Sequence, residues 1–586
     1  IPQLMKIKKN LISLFFFFIF LFKFLFLNAQ TSKDTLLVEE VTIIKSFQPS
    51  LKNVKKIYEI PSLNDSIYDY NNDIKYNIIS FPAVSTFVPA RLEPQIVKSS
   101  KKSLEFDSYL ASGLGNFKSY LIEYSSGLKI DRNQTIEWML MLDAISKKIS
   151  DTKLDSSRNS SLINILYTIN NNYYNSESQI NFYQNKRSFY GLRDESIIEK
   201  DLNSIDPTQN INYLSLSSTW NWYDGFLNSL NFKSFFTSDK FKTGEFEFEL
   251  NSKFRFDFTD FLINISPSIN YFTNQFKKDF YQGDPEKTES WKSELSLIIS
   301  NYSKKLSYKF GVIANYGFMD NYSGGKIFYY PYLDLLYKSS SSLSNVYLNI
   351  SGGLNFNNFR KLSYSNYFIA PTVQLKNTNS DYDIKLGYRY LISKNLSFDF
   401  NTYITKNKNH PLFINYGIDY FNFSFLPYKY GNSFEVVYDD IDFMGFNLKL
   451  TRKMNFGSII LSIKTNHSKT NIFKYAFNIP KYKIEFVGNA KLSKKIFFNW
   501  EINYVGNRYN AFKNQFLQQN PLSANLDYEQ LRNSFITNLE FQYDFTDKWN
   551  VFIKGKNLFG KNNYFWSNYL NQSPIILSGL KYNFNF

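Results

Sequence analysis

Glu245–Phe258 reads EFEFELNSKFRFDF. Phe246, Phe248, Leu250, Ser252, Phe254, Phe256 and Phe258 take one set of alternate positions, and Glu245, Glu247, Glu249, Asn251, Lys253, Arg255 and Asp257 take the other. Successive side chains of a strand point to opposite faces, so one face here is almost wholly aromatic and the other almost wholly charged. Strands of soluble sheets run to about five or six residues. Alternation held over 14 residues instead suits a tilted strand crossing a bilayer, which needs roughly 9–11 residues in the hydrocarbon. The aromatic face then meets lipid, and Glu245, Glu247, Glu249, Lys253 and Arg255 face a lumen.

The pattern recurs. Tyr382, Ile384, Leu386, Tyr388, Tyr390 and Ile392 oppose Asp381, Asp383, Lys385 and Arg389, a second set of lumen-facing charges. Ile496–Tyr504 and Phe535–Phe545 alternate in the same way. Strands of this kind cannot end in an open edge within lipid, where unpaired backbone groups find no water, so the sheet must close on itself. Links sort into two lengths. Thr259–Asp260, Ser303–Lys304, Ser393–Lys394, Ser493–Lys494 and Thr546–Lys548 are very short; polar links near 147–157, 191–208, 273–286, 360–379, 408–431, 508–533 and 558–573 are long. Short periplasmic turns and long outer loops are the habit of outer-membrane barrels. Counting back from Phe586, taken as periplasmic, keeps that parity, with one tiny outer turn at Gly115–Asn116 as the exception. The expected fold is all-β: a transmembrane antiparallel barrel of about 22 strands over residues 105–586. Segments near 159–170 and 432–452 alternate weakly, so each could split or merge.

The first thirty residues read as an address. Lys6, Lys8 and Lys9 follow Met5, the expected start, and precede the apolar run Leu11–Phe22; Ala29 stands before an expected cut ahead of Gln30. Lys23 breaks that run before it reaches the roughly 20 apolar residues of a helical span. Residues 1–29 are therefore expected to be a signal peptide, and 30–104 a periplasmic or lumenal segment with no packed domain. Two prolines, Pro82 and Pro89, favour extended chain within it.

Composition agrees with export into a membrane sheet. The chain has 60 Phe and 45 Tyr, yet its mean hydropathy is −0.34, a combination that a lipid face and a polar lumen reconcile. The net charge of +16 is scattered, much of it in turns, so no nucleic-acid partner is expected. Cysteine is absent and His410 and His467 are the only histidines, which excludes thiolate chemistry and leaves no persuasive triad. No catalytic residue, cofactor or metal is expected. The three glutamates of Glu245–Glu249 stand about 6.5–7 Å apart on one face and are read as part of a paired charge ladder rather than a cation site. Asp439, Asp440 and Asp442 lack the turn glycine of a calcium loop and are read as a solvated rim. Tyr329–Tyr330 and Trp220/Trp222 are read as interfacial girdle residues.

The stretch from Asn533, NSFITNLEFQYDFTDKWNVFIKGKNLFGKNNY, resembles the last strands of TonB-dependent receptors, and Val38, Glu39, Glu40, Val41, Thr42, Ile43 and Ile44 resemble the TonB box that opens them. Leu580, Tyr582, Phe584 and Phe586 on the final strand look like the signal read by the barrel-assembly machinery. The resemblance implies a receptor of the Gram-negative outer membrane that binds and takes up a ligand, with lipid, the assembly machinery and TonB or another periplasmic or lipoprotein partner as its company. One departure matters: only about 75 residues separate Gln30 from the barrel, fewer than the family's plug requires, so either this segment lies inside the barrel, the long outer loops fold in, a partner plugs it, or the pore is open. A plugless scaffold in an envelope assembly and a passive wide pore are the alternatives.

Overall fold

The computed structural model describes residues 108–585, apart from 150–151, 193–205, 279–286, 304, 319–323, 340–342, 417–425, 514–525, 561–563 and 572–573. The expected signal peptide with Ala29 and Gln30, the TonB-box-like Val38–Ile44, the 30–104 segment and Phe586 lie outside the described residues.

Neighbouring strands pair antiparallel around a complete ring. Ser108–Gly115 pairs with Ser119–Lys129 on one side and with Ile575–Phe584 on the other, the latter from Ser108↔Phe584 to Gly115↔Leu577. The sheet holds 25 strand segments. Three crossings are each broken in two, at Asn466, Asn507 and Arg532–Asn533, which leaves 22 crossings. The two weakly alternating regions are single strands, Arg158–Asn170 and Phe434–Met454. At the closing seam Gly113 stands opposite Gly579, and an added Cβ at Gly579 would strike the Phe552 ring and the Ser112 carbonyl. The ring fills the space that two missing side chains leave, which lets first and last strands approach closely. Tyr109, Ala111, Leu121, Met141 and Leu577 pack with it as a small cluster.

One rim carries only short turns, and the sequence makes them by local side-chain capping. Asn133 N donates to Asp131 Oδ1 at 2.7 Å, Tyr173 N to Asn171 Oδ1 at 2.9 Å, and Trp549 N to Thr546 Oγ1 at 3.0 Å. Aromatic side chains gather at the same rim. Phe258 and Phe261 stack at 4.9 Å, Trp549 and Tyr582 meet at 4.7 Å, Tyr582 and Phe584 at 5.7 Å, and Trp220 and Trp222 at 6.4 Å. Amphipathic rings favour the bilayer interface, so this rim marks a membrane boundary.

The opposite rim differs from expectation in three places. A second short turn stands there, Lys240–Thr243, closed by Thr243 N donating to Asp239 Oδ1 at 2.8 Å and by Lys242 at φ 67°. The expected loop 408–431 begins as strand, because Leu396–Asn415 and Phe434–Met454 run 20 and 21 residues. The expected loop 508–533 contains the paired segments Arg508–Lys513 and Leu526–Leu531. Both hairpins rise past the length a bilayer needs and pair with each other at Asn415↔Phe512. Beyond lipid, polar strand faces cost nothing to expose, and cross-hairpin pairing satisfies backbone groups that would otherwise need water.

Candidate functional site

Seven links on the long-loop rim send apolar side chains into one buried cluster. Ile149, Phe189, Phe241, Phe276, Phe368 and Tyr569 each come from a different link, and Tyr428 from the seventh. Their strands are spread around the ring, so the links meet only by crossing the mouth. They pack against inward residues of the wall, among them Ile211, Tyr213, Phe272 and Val436. The barrel is thus lidded by its own loops.

Polar bonds fix the lid. Ala370 N donates to the Phe434 carbonyl at 2.9 Å and Phe434 N to the Phe368 carbonyl at 2.8 Å, so link 356–377 is bound to the start of the strand Phe434–Met454. Asn432 Nδ2 donates to the carbonyls of Phe189 at 2.6 Å and Pro427 at 2.7 Å. A small hairpin in the last link, Tyr564–Trp566 with Tyr569–Leu570, lays Tyr569 flat on Phe368 and donates its hydroxyl to the Asn432 carbonyl. Tyr190 OH donates to the Leu570 carbonyl at 2.8 Å, and burial pushes this hydroxyl up to about 12. A neutral phenol is the form that can donate, so burial and hydrogen bond agree.

One helix, Phe359–Ser365, anchors the lid to the wall. Asn358 caps it, accepting from Lys361 N at 3.0 Å. The Glu245 carboxylate accepts from Phe359 N at 2.6 Å and Arg360 N at 2.9 Å, taking up donors of the helix's first turn. Asn274 Nδ2 donates to the same carboxylate at 3.0 Å. Glu247, whose side chain is 1% exposed, accepts from Arg360 Nε at 3.1 Å and from Lys361 Nζ at 3.1 Å, and pairs also with Arg360 Nη2. Arg360 lies 3.8 Å above the Phe235 ring. Two wall carboxylates therefore hold an incoming helix rather than one another's neighbours on the wall.

The remaining charges sort differently. Glu249 stands across from Lys233 and Asn270, and Lys253 across from Ser229; Arg255 Nε meets Asp257 Oδ1 at 2.7 Å. On the second strand Lys385 meets Asp383 at 2.6 Å, Lys408 meets Asp381 at 2.9 Å, and Arg389 meets Asp399 at 2.6 Å while lying over the Tyr347 ring. Asp439 is not a solvated rim residue. It is 2% exposed and accepts from the backbone N of Ile472 at 2.9 Å and of Phe473 at 3.0 Å, tying down the start of link 471–481. Asp440 accepts from Asn409 N at 3.0 Å. Tyr329 is 69% exposed on the outer face, but Tyr330 is buried and donates to Asn379 at 2.6 Å. Adjacent strand residues cannot share a face, so only Tyr329 can serve the girdle. Leu580 is exposed on the outer face, and Tyr582 and Phe584 join the aromatic rim.

Arg360, Lys361, Asn358 and Tyr569, all central to the lid, carry no signal in period-two alternation. The one sequence cue is an Asn three residues before Lys361, a minimal helix start.

The sequence matches no protein-family model and no curated protein. Solved structures do match in fold. The siderophore receptor PirA from Acinetobacter baumannii is 10% identical at a TM-score of 0.57, over 81% of this chain and 80% of that one. The FrpB iron transporter from Neisseria meningitidis is 11% identical at 0.58, over 82% of each chain. The ferripyoverdine receptor of the outer membrane of Pseudomonas aeruginosa is 11% identical at 0.56, over 82% of this chain and 72% of that one. With its 22 crossings, closed seam, short-turn rim and long-loop rim, the chain has the barrel fold of the TonB-dependent receptors of the Gram-negative outer membrane.

Proposed function

We propose that the protein is a gated receptor for uptake of a small solute across the outer membrane. The observation that carries this reading is the lid: a 22-crossing barrel is wide enough to pass a solute, and its outer mouth is shut by its own long loops. A permanently open wide pore has no use for a buried aromatic cluster across its entrance. The proteins of similar fold are a siderophore receptor, an iron transporter and a ferripyoverdine receptor, which makes a metal chelate the first cargo to try. Val38–Ile44 is the segment proposed to engage TonB, and residues 30–104 the periplasmic arm.

Accumulation of radiolabelled ferric chelates in a strain lacking the protein, complemented by the full chain or by a chain without residues 38–44, tests this. Uptake restored by the full chain and lost without 38–44 is expected, with equal amounts of folded barrel in the membrane. No accumulation defect in the deletion strain, joined to stoichiometric co-purification with an envelope complex, would overturn it in favour of a scaffold.

A further inference from the structure

Where two neighbouring strands reach the lid, the wall carries two arginines that no carboxylate among the described residues holds in an ion pair. The ladder between Arg158–Asn170 and Tyr174–Ser188 ends at Asn159↔Lys186; Arg158 and Arg187 are the next residues of the two strands and stand close enough for one charge to act on the other. Like charges at neighbouring positions of a sheet repel, so this arrangement costs stability unless something lies between them. Among the described residues neither guanidinium makes an ion pair. Asp143, the carboxylate whose field reaches Arg158, is held by Lys556 at 3.0 Å. Further along the wall, Lys554 uses Glu123 at 3.5 Å and Glu540 at 3.6 Å. The local acids are thus engaged by lysines.

The surroundings of Arg187 are equally specific. Its guanidinium lies 5.4 Å from the centre of the Tyr367 ring, yet its Nε is enclosed with no hydrogen-bond partner. Tyr367, 2% exposed, has a hydroxyl that is likewise without one, as has Ser188 Oγ. Burying such donors unpaired is expensive. Tyr364, in the lid helix three residues before Tyr367 and 6.2 Å from Tyr213, is 36% exposed, so the surroundings of the patch reach solvent there. A paired guanidinium set offers planar, forked donors that fit an oxyanion, and aromatic walls exclude the water that would compete.

We propose that Arg158 and Arg187, with the Tyr367 hydroxyl, form a binding site for the oxyanion group of a small solute, a carboxylate or a phosphate, on the inner side of the lid. Oxyanion binding relieves the repulsion between the arginines and fills the empty donors in one step. This deepens the uptake reading by naming the cargo's chemistry, and its test reads binding rather than transport, so either can fail alone.

The test titrates citrate and inorganic phosphate, separately, into the detergent-purified full chain in Tris chloride buffer, following heat of binding and thermal unfolding. One saturable site for at least one probe is expected; whichever binds identifies the group as carboxylate or phosphate. Arg187→Gln and Arg158→Gln should each weaken it by about tenfold or more, the loss of one charge-assisted contact. Lys408→Gln, on another wall and paired with Asp381, should bind as the parent does. The bound probe should raise the melting temperature of the parent but not of Arg187→Gln. Without probe, Arg187→Gln should melt no lower than the parent, because it removes a repulsion. Absence of binding by both probes, parental affinity in both arginine variants, or a melting temperature of Arg187→Gln lowered without probe would each overturn the assignment.

Discussion

At the scale of single residues, Glu247 shows why a strand's charged face does not announce its partners. Its side chain is 1% exposed and its carboxylate holds both Arg360 and Lys361. Removing one partner from a buried ion pair strands the other and costs about 3–5 kcal/mol. Glu247→Gln should therefore loosen the Phe359–Ser365 helix from the wall, and limited trypsin digestion of the intact barrel should cut at Arg360 and Lys361 far faster than in the parent. Lys385→Gln is the contrast. Its pair with Asp383 leaves the lysine side chain 44% exposed, and such pairs contribute less than about 1 kcal/mol. Unchanged cutting in Glu247→Gln would mean that the aromatic packing alone holds the helix. Sequence alternation placed Glu245 and Glu247 on the charged face, but nothing in it signalled that a segment more than a hundred residues on would supply their partners.

At the scale of elements, the link 356–377 is the largest single contribution to the lid: it brings Phe356, Phe359, Leu362, Phe368, Ile369 and Val373 into the cluster. Its bonds to the wall come from both ends of the link, at Glu245 and Glu247 and again where Tyr438 OH donates to the Gln374 carbonyl at 2.9 Å. Replacing residues 359–375 by a short Gly-Ser link should turn a barrel of low conductance into an open channel in planar bilayers, with strand content unchanged by circular dichroism. A closed channel in that variant would show that link 416–433 and the last hairpin suffice. The same scale explains why the lid was not legible. Loops of Asn, Tyr and Ser look solvent-facing by composition, and their aromatics become a core only when seven links converge.

For the whole molecule, lid and barrel are held by different forces, and alkaline pH should separate them. Burial pushes Tyr190 up to about 12, and Tyr367 and Tyr569 well above the ordinary tyrosine value. A raised pKa in the folded lid means that its stabilisation is complete below the ordinary value of about 10 and is lost as pH rises through the folded value. Between pH 10 and about 12 the lid should open, read as rising conductance, while strand content persists, because the barrel rests on backbone hydrogen bonds in lipid that no side chain titrates. Simultaneous loss of lid and barrel would contradict this division.

The sequence by itself determined the membrane sheet. Lipid on one side and water on the other impose a period of two on most crossings, so Phe246 and Glu247 reveal their faces without knowledge of any neighbour. Short turns and the need to close the sheet then bring the count to about 22 crossings. Only the tertiary structure decided what lies inside. The turn at Lys240–Thr243, the buried capping role of Asp439, the inward Tyr330 and the helix held by Glu245 and Glu247 all depend on contacts between segments far apart in the chain. The bilayer acts on each strand separately and leaves a local trace; the lid exists only where distant loops meet, and leaves none.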